Sequence, residues 1–315
     1  MKWSELAGKL RLLDTQSLLA ELSADEALIA PLAEEFIPYG RFISVDGVDL
    51  HYVARGQGRP LVFLHGAGGT LDEFFTSPLA DILTTRYRVI VFDRPGFGHS
   101  TRPHGGLSGP AAQARLLRAA LGRLGIERPI IVGHSWGGAM ALAYAVEFPT
   151  ALSALVVLAG WAFPARQAAI LLYSLPSAPF FGGLVQRTVW PSLARLLADE
   201  AITRIFAPAL VPAAFIADFP LELALRPSQL FADAEDIRML NPGVARLQPH
   251  YPTISVPVEL VTGDADGIVD PAQHVTRLAG LLPQARLTVL DGIGHMLHHT
   301  SPDEIGQAID RAAAA

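Results

Sequence analysis

The sequence predicts an α/β fold: a mostly parallel, eight-stranded sheet with helices on both faces and a helical cap inserted after strand 6. Three observations lead to this prediction. Short apolar runs recur along the chain, helix-like segments separate most of them, and one long interval lacks the alternation. Continuous apolar runs suit strands that are buried on both faces, and helical connections let such strands run parallel.

The strands are predicted from eight runs. FISV and VDLHYVA flank Asp46-Gly47, a pair typical of a tight hairpin. The other six runs are LVFLH (61–65), RVIVFD (88–93), IIVG (130–133), LVVLAG (155–160), VELVTG (258–263) and LTVLD (287–291). Helices are expected near 70–85, 110–124, 137–148, 271–282 and 302–312.

The alternation divides the chain into three parts. Residues 161–252 are rich in proline and apolar residues without strand–helix alternation, and we interpret them as a helical cap, or lid. Residues 41–160 and 253–315 then form the core. Residues 1–40 are an N-terminal arm, helical to about residue 36, whose apolar face we expect to pack on the protein itself or on a second subunit. A peripheral membrane contact is the alternative for this arm.

Composition limits the chemistry and the partners. The net charge is −6 and no basic block occurs, so a nucleic-acid partner is not expected. The absence of cysteine excludes disulfides, a thiolate nucleophile and cysteine-ligated metals. Charged residues interrupt the first 14 positions, which disfavours a secretory signal and makes a cytoplasmic protein the expectation. Prolines and glycines interrupt the long uncharged run 167–186, which favours an apolar lid over a membrane span.

The chemistry centres on Ser135. It lies in Gly-His-Ser-Trp-Gly, directly after the apolar run IIVG and before a helix-like segment. A sharp strand–turn–helix connection with this pattern projects a serine hydroxyl clear of the sheet, where it can act as a nucleophile. A serine that merely caps the helix is the plainer alternative.

A serine nucleophile needs a histidine base that a carboxylate orients. His295 is best placed, in a glycine-rich loop after the last strand. A metal site formed by His295, His298 and His299 is an alternative, but no carboxylate arrangement completes its ligand set. The loop after VELVTG offers three acids, of which Asp264 suits a turn and Asp270 suits a helix cap before Pro271. Asp266 remains as the candidate.

The chain resembles the α/β-hydrolase superfamily, in its capped branch, from Phe42 to the end. The resemblance rests on HGAGG (65–69), FDRPGFGHS (92–100), GHSWGG (133–138), GDADGIV (263–269) and GIGHM (292–296). It implies Asp266 as the acid and the backbone N–H groups of Ala67 and Trp136 as the oxyanion hole. Members that hydrolyse epoxides or carbon–halogen bonds have aspartate where Ser135 stands, so those reactions are not expected.

These observations predict a serine hydrolase with a Ser135–His295–Asp266 triad and no cofactor or metal. The uncharged cap segment AAILLYSLPSAPFFGGLV favours a small, neutral, apolar carboxylic ester as substrate. The residues expected to line its pocket are Trp161, Phe163, Phe180, Phe181 and His298. Carbon–carbon bond hydrolysis, peptidase activity, acyl transfer and ligand capture by a hydrolase-like receptor remain open, because all of them are compatible with the same triad.

Overall fold

The computed structural model describes residues 37–103, 106–165, 173–177 and 190–315. The predicted N-terminal helix over 1–36 and the candidate pocket residues Phe180 and Phe181 lie outside these ranges. No helix within the described ranges is both long enough and apolar enough to cross a membrane.

The eight predicted strands form one sheet. They are β1 (Arg41–Val45), β2 (Val48–Arg55), β3 (Arg59–Leu64), β4 (Tyr87–Phe92), β5 (Ile130–His134), β6 (Ala154–Leu158), β7 (Val258–Gly263) and β8 (Ala285–Leu290). Their order in the sheet is β1-β2-β4-β3-β5-β6-β7-β8. Strand β2 is antiparallel to β1 and β4, and all other neighbours are parallel. The predicted mostly parallel sheet is confirmed.

Side-chain alternation produces a core on each face of the sheet. In β3, Leu61 and Phe63 belong to one buried cluster, whereas Val62 and Leu64 belong to the other. Successive side chains of a strand point to opposite faces, so a continuous apolar run supplies both cores at once. The Asp46-Gly47 hairpin has positive φ at both turn residues, 50° and 81°, as a type I′ turn requires.

Helices cover both faces. They are α1 (Asp72–Phe75), α2 (Pro78–Thr84), α3 (Pro110–Arg123), α4 (Trp136–Glu147), α5 (Trp190–Phe206), α6 (Ala213–Asp218), α7 (Leu221–Ala224), α8 (Pro227–Leu247), α9 (Arg277–Ala279), α10 (Leu297–Thr300) and α11 (Pro302–Ala314). Short 3₁₀ segments span Leu175–Ser177 and Gln248–Thr253, and a π turn spans Ala272–Thr276. Helices α3 and α4 pack on one face, and α1, α2 and α11 pack on the other.

The cap lies between β6 and β7 in the sequence. Helices α5 to α8 occupy this interval, which confirms the helical insertion after strand 6. The long helix α8 contributes Leu240, Val244 and Leu247 to the same core as α3 and α4. The cap therefore shares a hydrophobic core with the sheet, and α8 holds it against the rest of the protein.

Candidate active site

The candidate catalytic residues follow the carboxyl ends of neighbouring parallel strands. Ser135 follows β5, Asp266 follows β7 and His295 follows β8, while the segment HGAGG (65–69), here called the oxyanion loop, follows β3. Parallel strands end at the same edge of a sheet, where open α/β sheets bind their ligands. The topology thus brings four distant segments to one edge.

The backbone at Ser135 is strained. Its φ and ψ are 53° and −117°, outside the regions that non-glycine residues favour. The strained turn is held by the N–H of Ser135, which donates to Leu158 O at 2.9 Å. A Cβ at Gly138 would lie 2.8 Å from the Cα of Gly160, so this crossing needs glycine. Such strain is the signature of a serine that a turn presents to a ligand.

The oxyanion loop lies against Ser135. A Cβ at Gly66 would be 3.2 Å from the Cβ of Ser135 and 3.6 Å from its Oγ. The N–H groups of Ala67 and Trp136 donate to no acceptor within the described ranges. Trp136 is the first residue of α4, where a backbone N–H has no partner inside the helix. Two free donors thus flank the serine.

A buried acid–base pair completes the arrangement. The His295 Nδ1 and the Asp266 Oδ2 are 2.8 Å apart, and both side chains are buried. Burial raises the pKa of Asp266, but His295 and the N–H groups of Val269 and Ile268 outweigh burial and hold that pKa below its usual value. Asp266 is therefore an acceptor, and His295 carries its proton on Nδ1. No hydrogen bond joins Ser135 to His295 among the described residues.

The other two acids of the loop have structural contacts. Asp264 Oδ1 accepts from the Gly292 N–H at 2.7 Å, and Asp270 Oδ1 accepts from the N–H groups of Ala272 and Gln273 at 2.9 and 3.0 Å. The predicted turn former and helix cap are confirmed. Neither residue hydrogen-bonds to His295, so the structure brings only Asp266 to the base.

Glu73 and His134 form a second buried pair that the sequence analysis missed. Glu73 Oε1 lies 2.6 Å from His134 Nδ1, and its Oε2 accepts from the Gly66 N–H at 3.2 Å. On the other side of the ring, His134 Nε2 lies 3.1 Å from His295 O. The only signal in the sequence was a glutamate that precedes two phenylalanines, which is weak evidence for a buried acid. The contact itself joins residues that are 61 positions apart.

His298 adjoins this pair. Its Nε2 lies 3.6 Å from Glu73 Oε1, and neither ring nitrogen has a hydrogen-bond partner among the residues that the structure describes. Burial, followed by the nearby His134, His299 and His295, holds the pKa of His298 well below its usual value, so the ring is neutral. The His298 ring is thus a fully buried, neutral neighbour of the Glu73–His134 pair.

Glu73, His134 and His298 are the group of described residues whose donor atoms lie close enough together to consider a metal ion, within 4.8 Å of one another. Two ligands of one tetrahedral zinc ion are roughly 3.3 Å apart. The 2.6 Å separation of Glu73 and His134 is shorter and is typical of a charge-assisted hydrogen bond. We therefore interpret the contact between Glu73 and His134 as a hydrogen bond and not as two ligands of one metal ion. The predicted alternative of a site from His295, His298 and His299 does not coincide with this group.

Comparison with known proteins gives the family. The model of the "Alpha/beta hydrolase family" matches residues 61–308. The chain belongs to this family. A haloalkane dehalogenase 2 of Mycobacterium tuberculosis is 28% identical over 269 residues, which cover 82% of this chain and 90% of that protein. An uncharacterized protein of the same species is 26% identical over 292 residues, 90% of this chain and 83% of the relative.

A solved structure supports the fold. An alpha/beta hydrolase fold protein from Burkholderia ambifaria superposes with a TM-score of 0.73 at 21% sequence identity, covering 87% of this chain and 97% of that one. At 21% identity the match supports the fold and says nothing about the reaction. The predicted family and fold class are both confirmed.

Arg94 connects three parts of this hydrolase. Its guanidinium pairs with Asp236 of the cap and donates to Gly66 O at 3.0 Å in the oxyanion loop. It also lies 4.1 Å from the ring centroids of Phe97 and Trp136. Arg94 is almost fully buried, so it supports the oxyanion loop from inside the protein.

The cap makes a further contact with the oxyanion loop. Asp233 Oδ1 accepts from the Gly68 N–H at 3.0 Å. Burial is the main cause that raises the pKa of Asp233 to about 6. The hydrolase therefore has an acid at the junction of cap and loop that changes charge slightly below neutral pH.

The remaining candidate pocket residues, Trp161 and Phe163, lie at the start of the cap segment and are buried. The Trp161 ring packs on His274 at 4.4 Å between centroids, and Phe163 packs on Tyr251 at 5.7 Å. Both aromatic side chains are buried in the core beside α4. Their assignment to the substrate pocket, like that of Phe180, Phe181 and His298, stays a prediction.

Proposed function

We propose that this hydrolase cleaves a neutral, apolar carboxylic ester through an acyl-enzyme on Ser135. The observation that carries the proposal is the strained Ser135 turn, flanked by the free N–H groups of Ala67 and Trp136 and accompanied by the buried Asp266–His295 pair. A nucleophile, an oriented base and an oxyanion hole are the three parts that acyl transfer requires.

The first step is nucleophilic attack by Ser135. The His295 Nδ1–H donates to Asp266, so the Nε2 of the neutral ring carries the lone pair that accepts the serine proton. Ser135 Oγ then bonds to the acyl carbon, and the imidazolium returns the proton to the departing alcohol. Water repeats the sequence on the acyl-enzyme and releases the acid.

Charge that develops on the carbonyl oxygen needs donors fixed in advance. The N–H groups of Ala67 and Trp136 are held by the oxyanion loop and by the start of α4, so little reorganisation is needed when the oxyanion forms. One such donor is worth on the order of 3 kcal/mol of barrier.

The charges around the oxyanion loop favour a neutral substrate. Arg94 is paired with Asp236, and Arg102 contacts both Asp236 and Glu235. Neither arginine is thereby free to bind a substrate carboxylate, and Asp233 adds an acid beside Gly68. An anionic substrate would therefore gain no ion pair from these two arginines and would lie close to the Asp233 carboxyl group. The uncharged cap sequence supports an apolar substituent.

The haloalkane dehalogenase relative raises a different reaction. In the superfamily pattern that reaction uses an aspartate at the nucleophile position, where this chain has Ser135. A serine alkyl ether formed by displacement of a halide would have no carbonyl for water to attack, so turnover would stop. Ester hydrolysis fits the serine better.

A panel of p-nitrophenyl esters of increasing chain length tests the proposal, run on wild type and on Ser135→Ala. We expect multiple turnover by wild type, with kcat/KM rising as the chain lengthens because each buried CH₂ contributes up to about 0.8 kcal/mol. Wild type that turns over no ester, or that captures ligand only once, would contradict an esterase. Turnover of a diketone but no ester would reassign the triad to carbon–carbon bond hydrolysis.

A further inference from the structure

The Glu73–His134 pair has no task in the reaction described above, yet it contacts three segments of the site. Glu73 accepts from Gly66 in the oxyanion loop, His134 immediately precedes Ser135, and the His134 ring contacts His295 O. Both side chains are at most 5% exposed. A buried carboxylate and a buried imidazole, 2.6 Å apart, therefore adjoin the oxyanion loop, Ser135 and His295.

Hydrogen-bond chemistry defines the protonation of this pair. A backbone carbonyl only accepts, so His134 Nε2 carries a proton toward His295 O. An ionised carboxylate also only accepts, so Nδ1 carries a second proton toward Glu73. Glu73 Oε2 accepts from the Gly66 N–H as well, which favours the carboxylate over the carboxylic acid. With both nitrogens protonated, the ring is positively charged.

We propose that His134 is an imidazolium which, paired with Glu73, positions the oxyanion loop and the backbone of His295 around Ser135. The inference rests on the proposed function, because it gives the pair a task in the same site. His134 and Glu73 are positioning residues: no hydrogen bond joins either side chain to Ser135 within the described ranges, and they act through Gly66 and His295.

The surrounding groups are consistent with a single positive charge. Burial lowers the pKa of His134, but Glu73, the carbonyl of His295 and the more distant Asp266 outweigh burial and raise it above its usual value. Burial likewise raises the pKa of Glu73, and His134 reverses the effect. The neighbouring His298 stays neutral, and the His295 ring lies 4.7 Å from that of His134. The pair therefore places one positive charge on His134 beside the neutral His298 ring.

Loss of the His134 proton has a specific consequence. A neutral imidazole has one N–H, so it cannot donate to Glu73 and to His295 O together. Either the oxyanion loop or the catalytic histidine then loses its support. Activity should fall at alkaline pH, at the pH where His134 deprotonates, in addition to any acid limb that the base produces.

The ring itself is tested by NMR of protein labelled with ¹⁵N-histidine. In wild type we expect both His134 nitrogens to be protonated at pH 7, and in Glu73→Gln we expect a single neutral tautomer at the same pH. A neutral His134 in wild type at pH 7 would overturn the inference. So would equimolar zinc that binds through His134 Nδ1. This titration needs no substrate, so it reports on the pair even where the ester assay fails.

The pH dependence of kcat/KM tests the positioning task. We expect Glu73→Gln to shift the alkaline limb at least one pH unit lower and to reduce activity at pH 8 by about tenfold or more. His134→Asn keeps one donor and carries no titrating group, so its alkaline limb should disappear. A limb at the same pH in wild type and both variants would overturn the inference.

The matched control is His51→Asn. His51 and Asp93 form a buried pair with an Nδ1 to Oδ2 distance of 2.7 Å, and neither hydrogen-bonds to the triad. This variant should lower the melting temperature but leave the alkaline limb unchanged. Melting temperatures of all variants separate lost folding from lost positioning, and an alkaline limb that moved equally in His51→Asn would overturn the inference.

Discussion

Asp266 and His295 are joined across 29 residues of sequence by a 2.8 Å hydrogen bond, and the two oxygens of the carboxylate have separate partners. Oδ2 contacts the imidazole, while Oδ1 accepts from the N–H groups of Ile268 and Val269 at 2.8 and 2.9 Å. The loop is thereby fixed by the same side chain that orients the base. A rigid acceptor on Nδ1 determines which nitrogen of His295 is free for proton transfer.

Asp266→Asn should lower kcat by a factor on the order of 10³ to 10⁴, because the amide permits the wrong tautomer of His295. Asp264→Asn and Asp270→Asn serve as controls, since their oxygens contact only backbone or Gln273. Their kcat should stay close to wild type. An inactive Asp264→Asn with an active Asp266→Asn would show that another carboxylate orients the base.

Gly66→Ala should reduce kcat with little loss of stability. The added Cβ would press on Ser135 at 3.2 Å, and φ at this glycine is not positive, so the effect comes from crowding of the nucleophile. A displacement of a few tenths of an ångström at the reacting atoms predicts a loss of about tenfold. Gly109→Ala is the control, because no atom of the described residues lies within 4 Å of its Cβ position. Equal activities of the two variants would mean that Gly66 does not support the serine.

Arg94→Met should destabilise the fold by about 2 to 4 kcal/mol, measured by urea denaturation, because it removes one of the two arginines that pair with the buried Asp236 and leaves only Arg102. The matched comparison is Arg195→Met, which breaks a pair whose side chains are 46% and 37% exposed. That change should cost less than about 1 kcal/mol. Similar losses in both variants would contradict the role of Arg94 as a buried connection between cap and oxyanion loop.

Asp233→Asn should change the pH dependence of stability. The pKa of Asp233 is raised from 3.8 to about 6 in the fold, so the native state binds this proton more tightly than the unfolded chain does. The free energy of unfolding of wild type therefore decreases as pH rises from about 4 to 6, because the stabilisation from the protonated Asp233 is lost. The melting temperature of the variant minus that of wild type should increase over this interval and then level off. A difference that stays constant would exclude a raised pKa for Asp233.

Most of the fold was predictable because each strand is an apolar run buried on both faces. Helix boundaries were less so. The predicted helix near 70–85 is two helices, since Ser77 accepts from the Leu79 N–H and Pro78 begins a new helix. The predicted helix near 271–282 begins as a π turn. Apolar spacing continues across both interruptions, and caps and turns decide the ends.

The candidate triad residues Ser135, Asp266 and His295 were identifiable from the sequence because each follows an apolar run in a short, distinctive loop. The Glu73–His134 pair was not, because it depends on how a helix after β3 meets the end of β5. The contacts of Asp233 and Arg94 could not be predicted for the same reason, since their partners lie 165 and 142 residues away in the sequence. Long-range pairing of polar side chains has no periodic signal in a single sequence.

The central claim is that Ser135 is the nucleophile, and covalent trapping tests it most directly. Wild type and Ser135→Ala would be treated with a fluorophosphonate ester, and the intact mass and the labelled peptide would be measured. The account predicts one phosphonyl group on wild type, located on Ser135, and none on Ser135→Ala. A label on another residue, or equal labelling of both proteins, would contradict it.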